Sequence, residues 1–379
     1  MNKLASLIPL LASAALLMFG NGLQGTLIAW RASSEGFPPW LIGLITASYY
    51  LGFALGCFHI THLLRQIGHI RAFSAMAAIS TATIILAGLV VEPWLWTILR
   101  LISGYCLAVL FAVIESWLNS KVDNAIRART LSVYRYVDLA ANSSAQYFLP
   151  WFGGTSFILF GISAIALTLS LTPISLADKS SPSPPDHVNF DMKYLWLTSP
   201  LAAVGCFAVG MTNTVYRSLG PVYCLELGFN TTVTAWFLAA SIISGVVLQY
   251  PFGHYSDRKD RRTVIMVATA GGMLASLLLF FFAGNSIFLN IAGVFLLGAF
   301  SMPLYSMCSA HANDRAGPGE FATITAALLF YWAAGAVIGP WLAASVMGWF
   351  GPKSMFAFTA ATQAIFLVYT LSRKLQRPA

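Results

Sequence analysis

Long apolar runs alternate with short polar breaks along the whole chain, and each run has about the length a helix needs to cross a bilayer. A spanning helix takes about 20 mostly apolar residues. By that measure the first half holds runs at 4–29, 40–62, 72–91, 94–118, 130–150 and 155–175. The second half holds 194–217, 230–252, 263–283, 286–311, 320–345 and 353–372. These twelve runs predict an all-α membrane protein with twelve transmembrane helices and the lipid bilayer as its solvent. Composition agrees. Of 379 residues 58% are hydrophobic and 9% charged, more apolar surface than one or two water-soluble cores can hide. The first run, after Lys3, is too long for the apolar part of a signal peptide and reads as a retained helix. The net charge of +8 does not point to nucleic acid, because the bases lie in short loops between apolar runs and not on one soluble face.

The basic residues orient the chain. With the N-terminus inside, 17 Lys and Arg collect on the cytoplasmic side, against Arg31, Arg217 and Lys353 on the other, while Arg100 falls within a span. Both termini are therefore expected in the cytoplasm. The longest polar break, "LADKSSPSPPDHVNFDMK" at 176–193, is too poor in apolar residues to pack and reads as a linker. It divides the chain into an N-terminal six-helix half (1–176), a cytoplasmic linker (177–193) and a C-terminal six-helix half (194–379). An internal repeat supports the division. "GFPPWLIGLITASYYLGFALG" from Gly36 and "GFNTTVTAWFLAASIISGVVL" from Gly228 stand 192 residues apart, and each sets Gly-Phe and a turn before a span. Paired six-helix halves are a transporter plan, with the solute bound between them.

The second half concentrates charge in "GHYSDRKDRRTV", residues 253–264, where six of twelve residues are ionic. The order Gly253, Asp257, Arg258, Arg261, Arg262 resembles the cytoplasmic-loop motif of the major facilitator superfamily, in the loop between spans 8 and 9 where that family carries it. On this reading Gly253 lets a tight turn approach a neighbour and Asp257 accepts from the free N–H groups of a helix start. The bland reading is a plain positive-inside loop. Two departures stand out: Asp260 occupies a position where the family often has glycine, and at the matching point of the first half Arg65 replaces the aspartate. Arg100-x-x-x-Gly104-x-x-x-Ala108 in span 4 is similar to the family's second motif, and "GAVIGPWLA" in span 11 to its glycine–proline helix motif. "GNGLQGTLIAWRASSEGF" at 20–37, "ESWLNS" at 115–120, "AHANDR" at 310–315 and "LLFYWAAGAVIGP" at 328–340 resemble the YcaD-like branch. The resemblance implies a bacterial inner-membrane carrier working by alternating access, with the 253–262 motif as its cytoplasmic gate. It supplies no ligand.

Polar groups inside spans are costly and usually face the interior or a wet cavity. In span 5, Arg135, Asp138, Asn142 and Gln146 fall within an arc of about 80° at helical spacing. That stripe is either a cavity wall or a packing seam. Asn21 and Gln24 of span 1, Arg100 of span 4, Asn213 of span 7 and Tyr331 of span 11 complete the expected substrate cavity, with Tyr49, Tyr50, Trp236 and Trp332 as further aromatic surface. Arg31 and Arg217, near the outer boundary, are as readily snorkelling anchors. Glu115 is either a carboxylate that picks up a proton when dried or one half of an ion pair with Arg127 or Arg135. With Asp138 it is the expected proton-coupling group. His311 reads as structural more than titrating, and Glu320 begins a helix, which suits a fixed charge.

The leading function is secondary active transport of a small organic solute, coupled to protons and carried out by a monomer. Facilitated diffusion, a membrane sensor and a membrane-embedded enzyme are the alternatives. No catalytic site or cofactor is expected: HExxH, paired-histidine metal spacing, a nucleophile elbow and a Walker motif are all missing from the sequence, and Cys57, Cys106, Cys206, Cys224 and Cys308 show no metal-binding spacing.

Overall fold

The computed structural model describes residues 7–122, 124–176, 191–317 and 320–376, all of them helix, turn or loop with no strand among them. The chain runs α1 (Ile8–Ser34), α2 (Pro39–Ile67), α3 (His69–Leu89), α4 (Pro93–Lys121), α5 (Asn124–Gln146), α6 (Phe148–Phe152), α7 (Phe157–Leu169) and α8 (Leu171–Leu176). It continues with α9 (Met192–Thr198), α10 (Pro200–Glu226), α11 (Thr231–Arg258) and α12 (Arg261–Leu278), which ends in a π-helical turn over Leu279–Ala283. Then come α13 (Ile287–Ser301), α14 (Leu304–Asn313), α15 (Phe321–Phe350) and α16 (Ser354–Gln376).

Ten helical segments among the described residues are long and apolar enough to cross a membrane, or eleven when α9 and α10, bent by 115° at Ser199, count as one. The expected twelve are not all seen by that standard. The shortfall is α5, which has 23 residues but spends them on Arg135, Asp138, Asn142 and Gln146. The helix forms where the fifth span was expected; its polarity keeps it below the threshold.

Local chemistry explains the helix boundaries. Glu92, Ser156, Asn230 and Ser286 each cap a helix by accepting a backbone N–H of its first turn. The repeat visible in the sequence reappears in these boundaries: α1 and α10 both have 27 residues and start and end 192 residues apart. The starts of α2 and α11, and of α3 and α12, keep the same spacing. Gly36 and Gly228, which precede two of those starts, have φ of 77° and 76°, a conformation that glycine adopts without a Cβ penalty.

Two compact units result. One comprises Met1–Glu35 and Ser48–His187, the other Gly36–Ala47 and Val188–Ala379. Residues 36–47 belong to the second unit although the first unit's residues flank them in sequence. There Gly43 lies against α15, where a Cβ would come within 2.6 Å of Ala344 Cβ. The linker falls largely on residues 177–190, outside the described residues. In the second unit α10, α12, α14 and α15 share a core around Cys206, Val209, Ile265, Cys308 and Leu328.

Candidate functional site

In the first unit the site begins with a crossing of two backbones. A Cβ on Gly52 of α2 would fall on the carbonyl oxygen of Leu101, and one on Gly104 of α4 would fall on the carbonyl oxygen of Tyr49. One turn on, a Cβ at Gly56 would lie 2.7 Å from Ala108 Cβ. Small residues let membrane helices approach this closely. The Arg100-x-x-x-Gly104-x-x-x-Ala108 face is therefore the contact face of α4 towards α2. The crossing brings Arg100, one turn before Gly104, over the ring of Tyr49, with Cζ 4.2 Å from the ring centroid.

Polar side chains of α1 complete this corner. The Tyr49 hydroxyl donates to Asn21 Oδ1 at 3.1 Å, and Ser103 Oγ donates to Gln24 Oε1 at 3.3 Å. Arg100 is 6% exposed, Gln24 is buried, and Arg100 Nε and Nη1 have no hydrogen-bond acceptor among the described residues. Nor does any described carboxylate lie within ion-pair distance of it. Two of the expected cavity residues, Asn21 and Arg100, thus meet at Tyr49, while Gln24 bonds Ser103 on the same helix as Arg100.

The polar stripe of α5 divides in two. Its far end is a packing seam: Gln146 accepts from Thr26 Oγ1 at 2.7 Å, and Asn142 lies against α1, where a Cβ on Gly22 would meet its Oδ1 at 2.5 Å. The near end is open. Arg135 pairs with Asp138 at 2.6 Å with its own side chain 63% exposed, and Asn142 Nδ2 also donates to Asp138 at 2.6 Å. Asp138 therefore has both oxygens engaged. Glu115 lies near the C-terminal end of α4, with Tyr134, Asp138 and Arg135 as its electrostatic neighbours. Of the two ion-pair partners expected for it, Arg135 is held by Asp138, and the Arg127 side chain lies outside the described residues.

Two residues the sequence reading passed over belong to this unit's chemistry. His59 on α2 contacts the Tyr105 hydroxyl at 2.6 Å, and its ring stacks on His62 at 5.5 Å between centroids. Both rings are exposed, or nearly so, within a membrane-length helix. The rule that an ionisable residue inside a span deserves a function was the available signal; the strongly apolar neighbours hid it.

In the second unit the expected cavity residues do not come together. Asn213 is buried, donates to Ser301 O at 3.4 Å and accepts from Tyr216 at 3.4 Å, which is a packing role. Tyr331 packs on the core named above. His311 contacts the Arg315 guanidinium, with Nδ1 3.0 Å from Nη1. Its role is structural, as expected.

The charged stretch folds differently from expectation in two places. Gly253 lies inside α11 and a Cβ there would meet nothing within 4 Å, so no close approach requires it. Asp257 lies in the last turn of α11, ahead of the chain break, and its side chain is outside the described residues. The helix cap is Asp260, which accepts from Arg262 N at 3.0 Å. α11 simply continues to Arg258, which puts the cap of the next helix three residues past Asp257. Arg258 is exposed at that C-terminus, where a cation suits the helix dipole. Arg261 grips Asp314 with two nitrogens, at 2.5 and 3.3 Å, and Lys374 lies 4.0 Å from Asp260 and 2.7 Å from Thr263 Oγ1. Two strings noted separately in the sequence, "DRKDRRTV" and "AHANDR", thus meet through Arg261 and Asp314 and tie α12 to α14. In a double-mutant cycle of Arg261→Ala and Asp314→Ala, chemical unfolding is expected to give a coupling of about 1 kcal/mol, typical of a part-exposed bidentate pair. Strictly additive single effects would show that the pair is incidental.

These features define a class: a multi-pass α-helical membrane protein with a buried polar centre. The model of the Major Facilitator Superfamily matches residues 10–333 and again 202–378, and the chain belongs to that superfamily of transporters. It is similar to the MFS-type transporter YcaD of Salmonella typhi, 25% identical over 97% of this chain and 96% of that one. The counterpart from Salmonella agona is 24% identical over the same shares. Among solved structures it resembles the nucleoside transporter NupG, with a TM-score of 0.81, 13% identity and coverage of 98% and 99% of the two chains. A bacterial homologue of the human lysosomal transporter Spinster, inward-facing and unoccupied, matches with a TM-score of 0.75 and 13% identity over 98% and 94%. At those identities the structural likeness concerns the fold alone.

Proposed function

We propose that this chain is a secondary active transporter that moves a small organic solute across a bacterial inner membrane by alternating access, driven by protons. The observation that carries the reading is the buried Arg100–Tyr49 pair, with Asn21 bonded to Tyr49, in a superfamily chain. A charge buried this way costs several kcal/mol unless it serves a ligand or a partner. Solute binds within the membrane-embedded part, and movement of the two six-helix halves exposes it to one side at a time. Glu115, which neighbours Tyr134, carries the proton, and Asp138 positions Arg135. The protein works as a monomer without a cofactor.

Both termini lie in the cytoplasm, as the basic asymmetry of 17 to 3 requires. Reporter fusions at Glu92 and Lys353 are expected to read periplasmic, and those at Pro184 and Ala379 cytoplasmic. A cytoplasmic signal at Lys353 would overturn the topology. Function is tested with purified protein in ATP-free proteoliposomes carrying an imposed pH gradient. The expected result is accumulation of a solute above its external concentration, lost with an uncoupler. Equilibration without accumulation for every transported solute would replace the driven carrier with a facilitated one.

A further inference from the structure

Resting on the transporter reading, we propose that the solute carries a carboxylate or another compact anionic group, and that Arg100 receives it along an edge of its guanidinium while the guanidinium face rests on Tyr49. Three observations converge. First, Arg100 is a permanent cation with five donors, 6% exposed, with Nε and Nη1 unmatched by any described acceptor. Second, the contact it does make cannot hold it there. Stacking on an aromatic ring is worth about 0.5–2 kcal/mol, whereas an uncompensated buried charge costs several. Third, the arrangement is rigid. The Gly52–Gly104 crossing fixes α4 on α2, and the bond from Tyr49 to Asn21 fixes the ring.

A planar fork held flat on an aromatic ring leaves its edge for a ligand, and Nε with one Nη is the pair of donors that matches two carboxylate oxygens. The alternative, a structural arginine, needs an internal acceptor. Arg31, Arg135 and Arg261 each have one in Glu35, Asp138 and Asp314. Arg100 has none among the described residues. Its depth agrees: Arg100 stands seven residues into α4, about 10 Å from the helix start at 1.5 Å per residue, too deep to snorkel readily.

The test uses purified protein in detergent and matched probes: butyrate against butyramide, succinate against succinamide, nicotinate against nicotinamide. The carboxylates are expected to raise the unfolding temperature and the amides to leave it unchanged. Arg100→Gln should lose the carboxylate effect, and Arg100→Lys should weaken it roughly tenfold, since a point charge replaces a fork. Arg100→Met is the control for folding. Because it removes a charge with unmet donors, it is expected to unfold at or above the wild-type temperature while losing carboxylate binding. An Arg100→Met variant that unfolds well below wild type would make Arg100 a structural strut and overturn the proposal. So would amides that stabilise as well as their acids, or an absence of stabilisation by every carboxylate. Flux of the same probes in proteoliposomes separates the two readings. Flux confined to amides or cations keeps the transporter and removes the anion site. Arg100-dependent stabilisation without flux of any solute keeps the site and removes the transporter.

Discussion

Replacing Gly104 with valine is expected to remove most of the folded protein from the membrane fraction. A Cβ at that position would clash with the carbonyl oxygen of Tyr49. Backbone cannot rotate away as a side chain can, so α4 and α2 would have to separate by an ångström or more. Overpacking a well-filled core usually costs about 1–3 kcal/mol and more when no flexible side chain can yield. Here the separation would also part Gly56 from Ala108 and lift Arg100 from Tyr49, so we expect about 3 kcal/mol or more. Gly253→Ala is the contrast. Its Cβ would enter open space inside a helix, where alanine is favoured over glycine by about 0.5–1 kcal/mol. Thermal unfolding of the two variants checks both signs. A normally folded Gly104→Val protein would mean that the α2–α4 crossing is looser than described.

The second large effect is expected at Glu115. A proton-driven carrier needs a carboxylate whose surroundings alternate between wet and dry, because drying favours the neutral form and hydration the charged one. Asp138 is poorly suited, with its two oxygens committed to Arg135 and Asn142. Glu115 neighbours the Tyr134 hydroxyl, a group that serves both protonation states by turning its proton. Glu115→Gln keeps the shape and removes the titration. Flux driven by a pH gradient should fall by about 100-fold, the lower range for losing an acid–base group, while exchange at equal pH persists. Unchanged driven flux would remove Glu115 from the mechanism and direct attention to the His59–Tyr105 pair.

Much of the architecture could be read from the residues because membrane helices announce themselves by length and apolarity. The 192-residue repeat survives in the helix boundaries since Gly36 and Gly228 impose the same turn. Helix α5 was legible as an element but not as an apolar one, its stripe being half seam and half open surface. Helical spacing gives the face of a side chain and not what lies opposite it; that is why Asn142 and Gln146, in phase with Arg135, turn out to pack on α1. At the charged stretch the error lay in the end of α11. The helix runs on to Arg258, so Asp257 lies inside its last turn and the cap falls to Asp260, the residue that departs from the family pattern. The Arg100–Tyr49 contact spans two helices, and only the small residues Gly52 and Gly104 hinted that those helices touch.

The account stands or falls on whether the protein carries solute or merely conducts it. Liposomes holding only the purified protein should be preloaded with unlabelled solute, kept at equal pH on both sides, and supplied with a trace of the labelled form outside. Alternating access predicts saturable uptake that is faster with preloading than without and transiently exceeds equilibrium. Uptake that rises in proportion to concentration and ignores the preloaded solute would contradict it.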